Sequence, residues 1–535
     1  MVADCFGPPV AKNASKLALR SYPDPRAKPN PLRKKHNTPA EATMRTAKPH
    51  VLLITTDHWA APLLGEAQHP SILTPTLDEL ARSGTRFTNA YSECPVCIPA
   101  RRTLMTGTAP RTHGDRVFKT TEPMPNTPTM AQTFRDAGYQ AYAVGKLHVY
   151  PQRDRIGFDD VMLDEEGRPH LGAVDDYDLF LSDKGHPGAG FAHGMSNNEY
   201  TFRPWHLSEE CHTTNWAARQ MSRMIKRRDP SKPGFWFLSF RHPHPPLVPL
   251  QSYLDLYRDI DIDAPHRGDW SNSFDELPYA LKVNQGAKTH LKGDEILRIR
   301  RAFYALCTHI DHQLRLVVGT LREEGLLDNT IICFTADHGD MLGNHGLWAK
   351  RLYYEHAANV PMILLGGADG RVAHHTVDDR IVGWQDVMPT LLDLAGIDVP
   401  EAVEGQSMVS AKRRRYLYGE CGEDATATRM IREGRHKLIY YSVGNHCQLF
   451  DIEDDPFELH DLANDEAHAH TLAHLKMQLI SDLYGGDEAW VQDGQLVGLP
   501  DQEWSPSANR SLSGVRGTHY PTPPQINVDK VVGLQ

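Results

Sequence analysis

Four apolar segments of this 535-residue sequence run directly into charged or imidazole-bearing residues. The segments are HVLLITT (50–56), AYAVG (141–145), WFLSF (236–240) and TIICFTA (330–336). The residues that follow them, in the same order, are Asp57 and His58, Lys146 and His148, Arg241 with His242 and His244, and Asp337 and His338. Short β-rich apolar runs are typical of strands buried on both faces, and in parallel α/β sheets the ligand site lies beyond the carboxyl ends of the strands. Any one such residue is commonly a satisfied polar group at a loop start, but four strands together predict one shared rim.

Two of these strand ends carry side chains that suit a divalent cation. Asp57, Asp337 and His338 supply carboxylate oxygens and an imidazole. Carboxylate oxygens favour hard ions such as Ca²⁺, Mg²⁺ or Mn²⁺, and an imidazole shifts the preference slightly towards Mn²⁺. Because the three residues lie far apart in sequence, their spacing does not distinguish a metal site from separately satisfied polar residues.

The segment CPVCIPARRTLMTG (94–107) is a second candidate for chemistry. It predicts a helix over 98–106 that ends at Gly107. Pro99 falls in the first turn, where its missing N–H is not needed.

Cys97 would lie at the N-terminus of that helix. Unpaired amides and the helix dipole favour negative charge there, and Arg101 adds a fixed positive group one turn further on. From the residues alone, Cys97 is either a buried structural thiol or half of a C-x-x-C redox pair with Cys94. Nothing resembling a thioredoxin pattern surrounds the pair.

The wider pattern of apolar runs predicts the elements that position these residues. Further strands are predicted at 85–92 and 361–366, and helices near 76–84, 128–137, 294–324 and 385–395. Strands that alternate with helices predict an α/β fold with a mostly parallel sheet covered on both faces.

The pattern changes after about residue 400. Successive strands with short turns are predicted at 416–420, 428–434, 436–442 and 448–454, followed by a helix over 462–484. This predicts a smaller antiparallel sheet with one helix packed on it.

Composition excludes several classes of protein. Hydrophobic residues make up 40% of the chain and the net charge is −11, so a nucleic-acid partner is not expected. No run approaches the roughly 20 apolar residues of a membrane span. Eight cysteines in so long a chain do not predict a disulfide scaffold.

The two ends of the sequence differ in composition from its body. Residues 1–48 are basic and rich in proline, which predicts a disordered leader without a secretory signal, and translation starting at Met44 is an alternative to Met1. The expected location is therefore cytoplasmic. We expect a catalytic domain over 49–400, a C-terminal α/β subdomain over 401–495 and an irregular tail over 496–535.

The segment CIPARRTLMTG (97–107) resembles the signature of the type I sulfatases, within the alkaline-phosphatase-like superfamily. The resemblance continues, in the same order along the chain, through TTDHW (55–59), GKLH (145–148), PHPPLVP (243–249) and TADHGDMLGNHGLWAK (335–350). The segments RMIREGRHKLIYY (429–441) and QLFDIEDDPFELHDLA (448–463) resemble the family's C-terminal subdomain. The resemblance covers about residues 50–485 and implies the alkaline-phosphatase-like α/β fold.

The resemblance implies a reaction and a role for each site residue. A separate formylglycine-generating enzyme would oxidise Cys97 to formylglycine, whose hydrate attacks a sulfate monoester of an aryl or carbohydrate alcohol. The site would bind one divalent metal, Ca²⁺ in preference to Mn²⁺ or Mg²⁺. Residue 97 would be one of its ligands. The remaining implied residues are Asp57, Asp337 and His338 as metal ligands, Arg101, Lys146 and His148 beside the nucleophile, and His244 and Lys350 at the sulfate and the departing oxygen.

The sequence departs from the family pattern at one position. Many sulfatases have two adjacent acids after the first strand, whereas this chain has Asp57 and His58. His58 is then either a further metal ligand or a residue that contacts the ligands without binding the metal. Relatives with one acid there include phosphonate monoester and phosphodiester hydrolases, which are the alternative function. A non-catalytic binder with an unconverted Cys97 is the alternative outside the enzymes.

Several neighbouring residues are given supporting roles. His242 is a less favoured choice than His244, because the Pro-His-x-Pro pattern points to His244. The others are His345 as a loop-shaping residue, Arg111 and His113 as braces of the signature loop, and Tyr354 and Glu355 as supports of Lys350. Segments 160–215 and 250–290, rich in Asp, His, Trp and Tyr, are expected to wall the pocket.

Overall fold

The computed structural model describes residues 48–166, 174–195, 198–285 and 291–505. The predicted leader over 1–48 therefore lies outside the described residues apart from Lys48, and the predicted tail is described only as far as residue 505. Within the described ranges, no helix is both long enough and apolar enough to cross a membrane.

A central sheet of eight strands dominates the described part of the chain. Its strands are β1 (His50–Thr56), β2 (Thr85–Tyr91), β3 (Gln140–Gly145), β4 (Asp160–Leu163), β5 (Gly234–Ser239), β6 (Thr330–Ala336), β7 (Met362–Leu365) and β8 (Thr376–Gly383). Their order across the sheet is β4-β3-β5-β1-β6-β7-β2-β8, and neighbouring strands are parallel except where β7 is involved. The predicted α/β fold with a mostly parallel sheet is confirmed. The edge strands β4 and β8 were not among the predicted strands, and β4 falls in a segment expected to be pocket wall.

β7 runs antiparallel to both of its neighbours because of how the chain reaches it. A parallel strand needs a crossover connection that returns to the opposite edge of the sheet. The connection over 337–361 contains only short helical turns, and it begins and ends at the carboxyl edge of β6. The whole connection is therefore available to build that edge.

Helices pack on the sheet and on one another. They are α1 (Pro75–Ser83), α2 (Cys97–Thr106), α3 (Pro110–His113), α4 (Met130–Asp136), α5 (Asp176–Asp183), α6 (Thr213–Lys226), α7 (Gln251–Leu256), α8 (Tyr279–Gln285), α9 (Asp294–Glu323), α10 (Glu355–Ala358), α11 (Val387–Leu394) and α12 (Ala469–Asp482). Most of them bury one apolar face, as surface helices of globular proteins do. α2 differs from the other helices of similar length, because all ten of its residues are buried, as are the four of the short α10.

A second, antiparallel sheet follows in the chain. Its strands are β9 (Tyr416–Cys421), β10 (Thr428–Glu433), β11 (His436–Tyr441) and β12 (His446–Asp451), in the order β12-β11-β10-β9. α12 packs its Leu475 and Leu479 on this sheet, so the predicted sheet with one helix is confirmed. The predicted start of that helix at residue 462 is wrong, because the Leu462 amide is held by Leu449 O of β12 at 2.8 Å. A hairpin of β13 (Val491–Gln492) and β14 (Gln495–Leu496) ends the described elements.

Candidate active site

The carboxyl ends of four consecutive strands of the sheet, β3, β5, β1 and β6, form the rim that the sequence predicts. Lys146 directly follows β3, Asp57 follows β1 and Asp337 follows β6, and His244 lies in the loop after β5. The side chains of all four are buried. The chain thus concentrates charged groups in an interior position at the edge of the sheet.

Cys97 is the first residue of α2, one position before the predicted start of the helix. Its Sγ lies 2.7 Å from Lys350 Nζ, 3.4 Å from His338 Nε2 and 3.7 Å from Asp57 Oδ1. Only 1% of the residue is exposed. A buried group at a helix N-terminus beside an ammonium is well placed to carry negative charge.

Four residues of this site could together hold a metal ion. Asp57, Cys97, Asp337 and His338 each offer one donor atom within 4.8 Å of the others. His338 Nδ1 faces Gly339 O at 2.9 Å, which leaves Nε2 directed at the carboxylates as in ligating imidazoles. Burial, reinforced by the nearby Asp57 charge, raises the pKa of Asp337 to about 6. Two carboxylates so close together call for positive charge between them.

Arg101 ties three parts of the rim together. Its Nε donates to Asp337 Oδ2 at 3.1 Å, and one terminal nitrogen donates to Lys146 O at 2.7 Å and Ser239 Oγ at 2.8 Å. The other terminal nitrogen lies 3.9 Å from Asp57 Oδ2 and has no hydrogen-bond acceptor among the described residues. A buried donor without an acceptor is costly, so this nitrogen suits a ligand oxygen.

Lys146 lies between two carboxylates, those of Asp57 and Glu166, and donates to both. Although burial by itself lowers the pKa of a lysine, these two acids raise the pKa of Lys146. The Lys146 and Lys350 charges in turn hold the pKa of Asp57 well below its usual range, against the effect of burial. The ammonium and the Asp57 carboxylate are therefore both charged near neutral pH.

Two acids of the site were missed by the sequence analysis. Glu165 and Glu166 follow β4, and Glu165 Oε1 accepts from the amides of Leu147 at 2.7 Å and His148 at 2.8 Å. Glu166 Oε1 contacts Lys146 and lies 3.9 Å from His244 Nε2. The signal was the acidic run directly after a strand, but β4 has only four residues and was not recognised.

His148 adopts a backbone conformation that Glu165 stabilises. Its φ of 62° lies in the left-handed region, which is uncommon for a residue other than glycine. The buried ring packs edge-on against Phe118, with 5.4 Å between the ring centroids. Strained residues that their surroundings fix in place are typical of functional sites.

His58 is held by a carboxylate from behind. Its Nδ1 lies 2.6 Å from Asp340 Oδ2, and Tyr200 also donates to Asp340. Burial and the Lys350 charge lower the pKa of His58 to about 3, so the ring is neutral. Its Nε2 is 3.7 Å from Asp57 Oδ1 and has no hydrogen-bond partner among the described residues. Imidazoles that bind a metal commonly donate their other ring N–H to a carboxylate, as His58 can to Asp340. This geometry is compatible with ligation by His58, which stays a prediction.

The structure separates the two histidines of the RHPHPP segment. The ring of His244 packs against His58, with centroids 4.4 Å apart, and its Nδ1 faces Pro245 O at 2.6 Å. The ring of His242 packs instead towards His212, with centroids 5.3 Å apart. His244 is therefore the one beside the rim residues, as the sequence pattern favours.

The supporting residues brace elements around the site, namely a loop for His345, the end of α12 for Arg111, and α2, the helix that Cys97 begins, for His113. His345 Nδ1 accepts from the Gly268 amide at 3.0 Å, Arg111 donates to Asp482 O at 2.8 Å and His113 Nε2 contacts Thr103 Oγ1 at 3.0 Å.

Two further expectations were that Tyr354 and Glu355 support Lys350, and that Cys97 is either a structural thiol or half of a redox pair with Cys94. Tyr354 contacts Gln448 at 2.6 Å and Glu355 accepts from Lys437 at 2.7 Å, so both bind the C-terminal sheet. Cys94 and Cys97 are both free thiols.

Comparison with known families places the chain. A family model described as Sulfatase matches residues 49–397, and one described as N-sulphoglucosamine sulphohydrolase, C-terminal, matches residues 343–483. The fold and the buried rim thus define a sulfatase of the alkaline-phosphatase-like superfamily. The chain belongs to the sulfatase family and is a sulfuric ester hydrolase.

Individual relatives agree with this assignment. The chain is similar to an arylsulfatase of Clostridium perfringens, with 35% identity over 84% of this chain and 97% of the relative. It is also similar to a choline-sulfatase of Rhizobium meliloti, with 32% identity over 78% of this chain and 83% of the relative. The crystal structure of a phosphonate monoester hydrolase of Agrobacterium radiobacter shares the fold, with a TM-score of 0.69 and 22% identity over 84% of this chain and 99% of that chain.

Proposed function

We propose that Cys97 is converted to formylglycine by a separate formylglycine-generating enzyme and that the hydrated aldehyde is the nucleophile of the sulfatase. The observation that carries this proposal is the position of the Cys97 side chain, at the start of α2 and within 3.7 Å of Asp57, His338 and Lys350. One hydroxyl of the hydrated aldehyde would attack sulfur and form a covalent sulfo-enzyme. Deprotonation of the second hydroxyl would then release sulfate and restore the aldehyde, so that water need not attack sulfur.

The donor set fits one divalent cation. Asp57, Asp337, His338 and residue 97 would hold it, because their donor atoms already lie within 4.8 Å of one another. The oxygen-rich set favours Ca²⁺, with Mn²⁺ and Mg²⁺ as alternatives. A bound cation would polarise a sulfate oxygen and offset its charge.

The residues of the chain itself supply the rest of the chemistry. The free nitrogen of Arg101 and the ammonium groups of Lys146 and Lys350 would bind sulfate oxygens in a pocket whose donors are fixed before the substrate arrives. His148 would take a proton from a hydroxyl of residue 97, and His244 would give a proton to the departing alcohol oxygen.

We propose an aryl or carbohydrate sulfate monoester as the substrate. The arylsulfatase relative, which the chain matches over nearly its full length, supports this class. Mass spectrometry of the tryptic peptide that contains residue 97, from protein isolated from its own host, tests the nucleophile. The expected result is the mass of an aldehyde in place of the thiol, together with release of sulfate from an aryl sulfate. An unmodified thiol in fully active protein would refute the assignment.

A phosphonate monoester or phosphodiester hydrolase is the second candidate. The Asp57-His58 pair in place of two adjacent acids is the feature of this chain that favours it. The test compares kcat/KM for 4-nitrophenyl sulfate and 4-nitrophenyl phenylphosphonate on the same aldehyde-bearing preparation. A clear preference for the phosphonate would reverse the order of the two candidates.

A further inference from the structure

The chain on either side of Lys350 is held in an unusual backbone conformation. Ala349 has a φ of 61° and Arg351 a φ of 72°, both in the left-handed region. The Arg351 amide donates to Pro95 O at 2.9 Å, two residues before Cys97. Such conformations persist where the surroundings fix them, so Arg351 is tied to the segment that presents the nucleophile.

The Arg351 side chain extends an aromatic layer that begins at His148. Its guanidinium lies over the ring of Phe118, with 5.7 Å between the guanidinium carbon and the ring centroid. The His148 ring packs edge-on against the same Phe118 ring, which also packs on a cluster of buried apolar residues. Phe118 is half-buried and Arg351 is exposed, so the layer leads from the interior of the site to solvent.

No carboxylate of a described residue lies within 4.0 Å of the Arg351 guanidinium, although the chain carries a net charge of −11. The nearby Arg116 differs, because it pairs with Glu420 at 3.1 Å and Asp487 at 2.8 Å. A guanidinium stacked on a ring still presents its N–H donors in its own plane, where they can bind a carboxylate or sulfate in bidentate fashion.

We propose that Phe118 and Arg351 form a subsite for the leaving group, and that the preferred leaving group is a ring that carries a second anionic group. The ring would pack against Phe118, and its carboxylate or second sulfate would pair with Arg351. Lys350, which precedes Arg351 and lies 2.7 Å from Cys97 Sγ, is proposed to bind a sulfate oxygen, so the subsite begins one residue beyond a sulfate-binding group. This inference rests on the proposed function and adds the charge of the leaving group to it.

The test compares three substrates. They are 4-nitrophenyl sulfate, a nitrophenyl sulfate with a ring carboxylate, and one with a ring sulfonate, which stands in for a second sulfate that cannot be hydrolysed. Arg351→Met is expected to lower kcat/KM for each substrate with an anionic group on its ring about tenfold more than for 4-nitrophenyl sulfate. This is the effect that loss of one charge-assisted contact predicts. Taking the ratio between variant and wild type removes the intrinsic reactivity of each ester. The two charged arms distinguish a carboxylate partner from a sulfate partner.

Two further variants control for charge and fold. Arg351→Lys keeps the charge without the fork and is expected to recover part of the discrimination. Arg155→Met removes an exposed arginine that pairs with Asp160, at the amino end of β4 and so at the opposite edge of the sheet, and should leave the discrimination unchanged. Raising the salt concentration should also increase KM for the charged substrates more in wild type than in Arg351→Met.

The outcomes separate this inference from the proposed function. If wild type hydrolyses all three esters and Arg351→Met lowers them equally, the subsite is wrong and the sulfatase chemistry stands. If aldehyde-bearing wild type hydrolyses none of them, the proposed function and the subsite both fail.

Discussion

Glu165 should control activity through the position of His148. Replacing Glu165 with alanine removes the acceptor of two buried amides, those of Leu147 and His148. A buried N–H left without a partner costs about 1–3 kcal/mol, so two such amides would lower the free energy of unfolding by about 2–6 kcal/mol. Water that enters the space would bring the loss towards the lower end of this range. His148 would then leave its left-handed conformation, and a shift of about 1 Å at a proton-accepting group lowers kcat about a hundredfold.

The assay is steady-state hydrolysis of an aryl sulfate together with the midpoint of thermal unfolding. Glu165→Gln keeps an acceptor oxygen and is expected to recover most of both losses. Glu210→Ala removes an exposed partner of Lys184, and a change of less than about 1 kcal/mol is expected there. If Glu165→Ala kept wild-type kcat while its unfolding midpoint fell, Glu165 would be a structural residue with no effect on His148.

Four further predictions concern the rim. Cys97→Ala is expected to abolish sulfate release with little change in the unfolding midpoint, because the side chain acts at the site; near-wild-type turnover would remove it as nucleophile. Asp337→Asn is expected to lose both activity and divalent-cation binding, measured by calorimetry, whereas unchanged binding would exclude it as a ligand. His244→Ala should slow alkyl sulfates far more than nitrophenyl sulfates, because only poor leaving groups need a proton; equal losses would argue against the acid role. His58→Ala is expected to weaken cation binding about 10- to 100-fold, and full retention of affinity would place His58 outside the metal site.

The sequence was most informative where strands are long and apolar. β1 and β6 are buried along nearly their whole length, and the polar residues that follow them therefore fall at one edge of the sheet. The position of Cys97 at a helix start followed from local signals, namely Pro99 and the glycine that ends the helix.

Short and edge elements were not predictable in the same way. β4 has four residues, and β8 alternates exposed and half-buried positions over its first half, so neither presents an apolar run. The roles of Glu165 and Glu166 depend on where β4 lies beside β3, which is a long-range pairing. The direction of β7 likewise depends on the path of the preceding connection. The β-propensity of its residues carries no information about strand direction.

The complete burial of α2 has a consequence for the life history of the protein. Once the helix has packed, the sulfur at position 97 is out of reach of any second macromolecule, with 1% of the residue exposed. If Cys97 is converted as proposed, the converting enzyme would have to meet the chain before α2 packs, and folding would then enclose the product. On the same proposal, a chain that folded first would keep its thiol and would lack the proposed nucleophile.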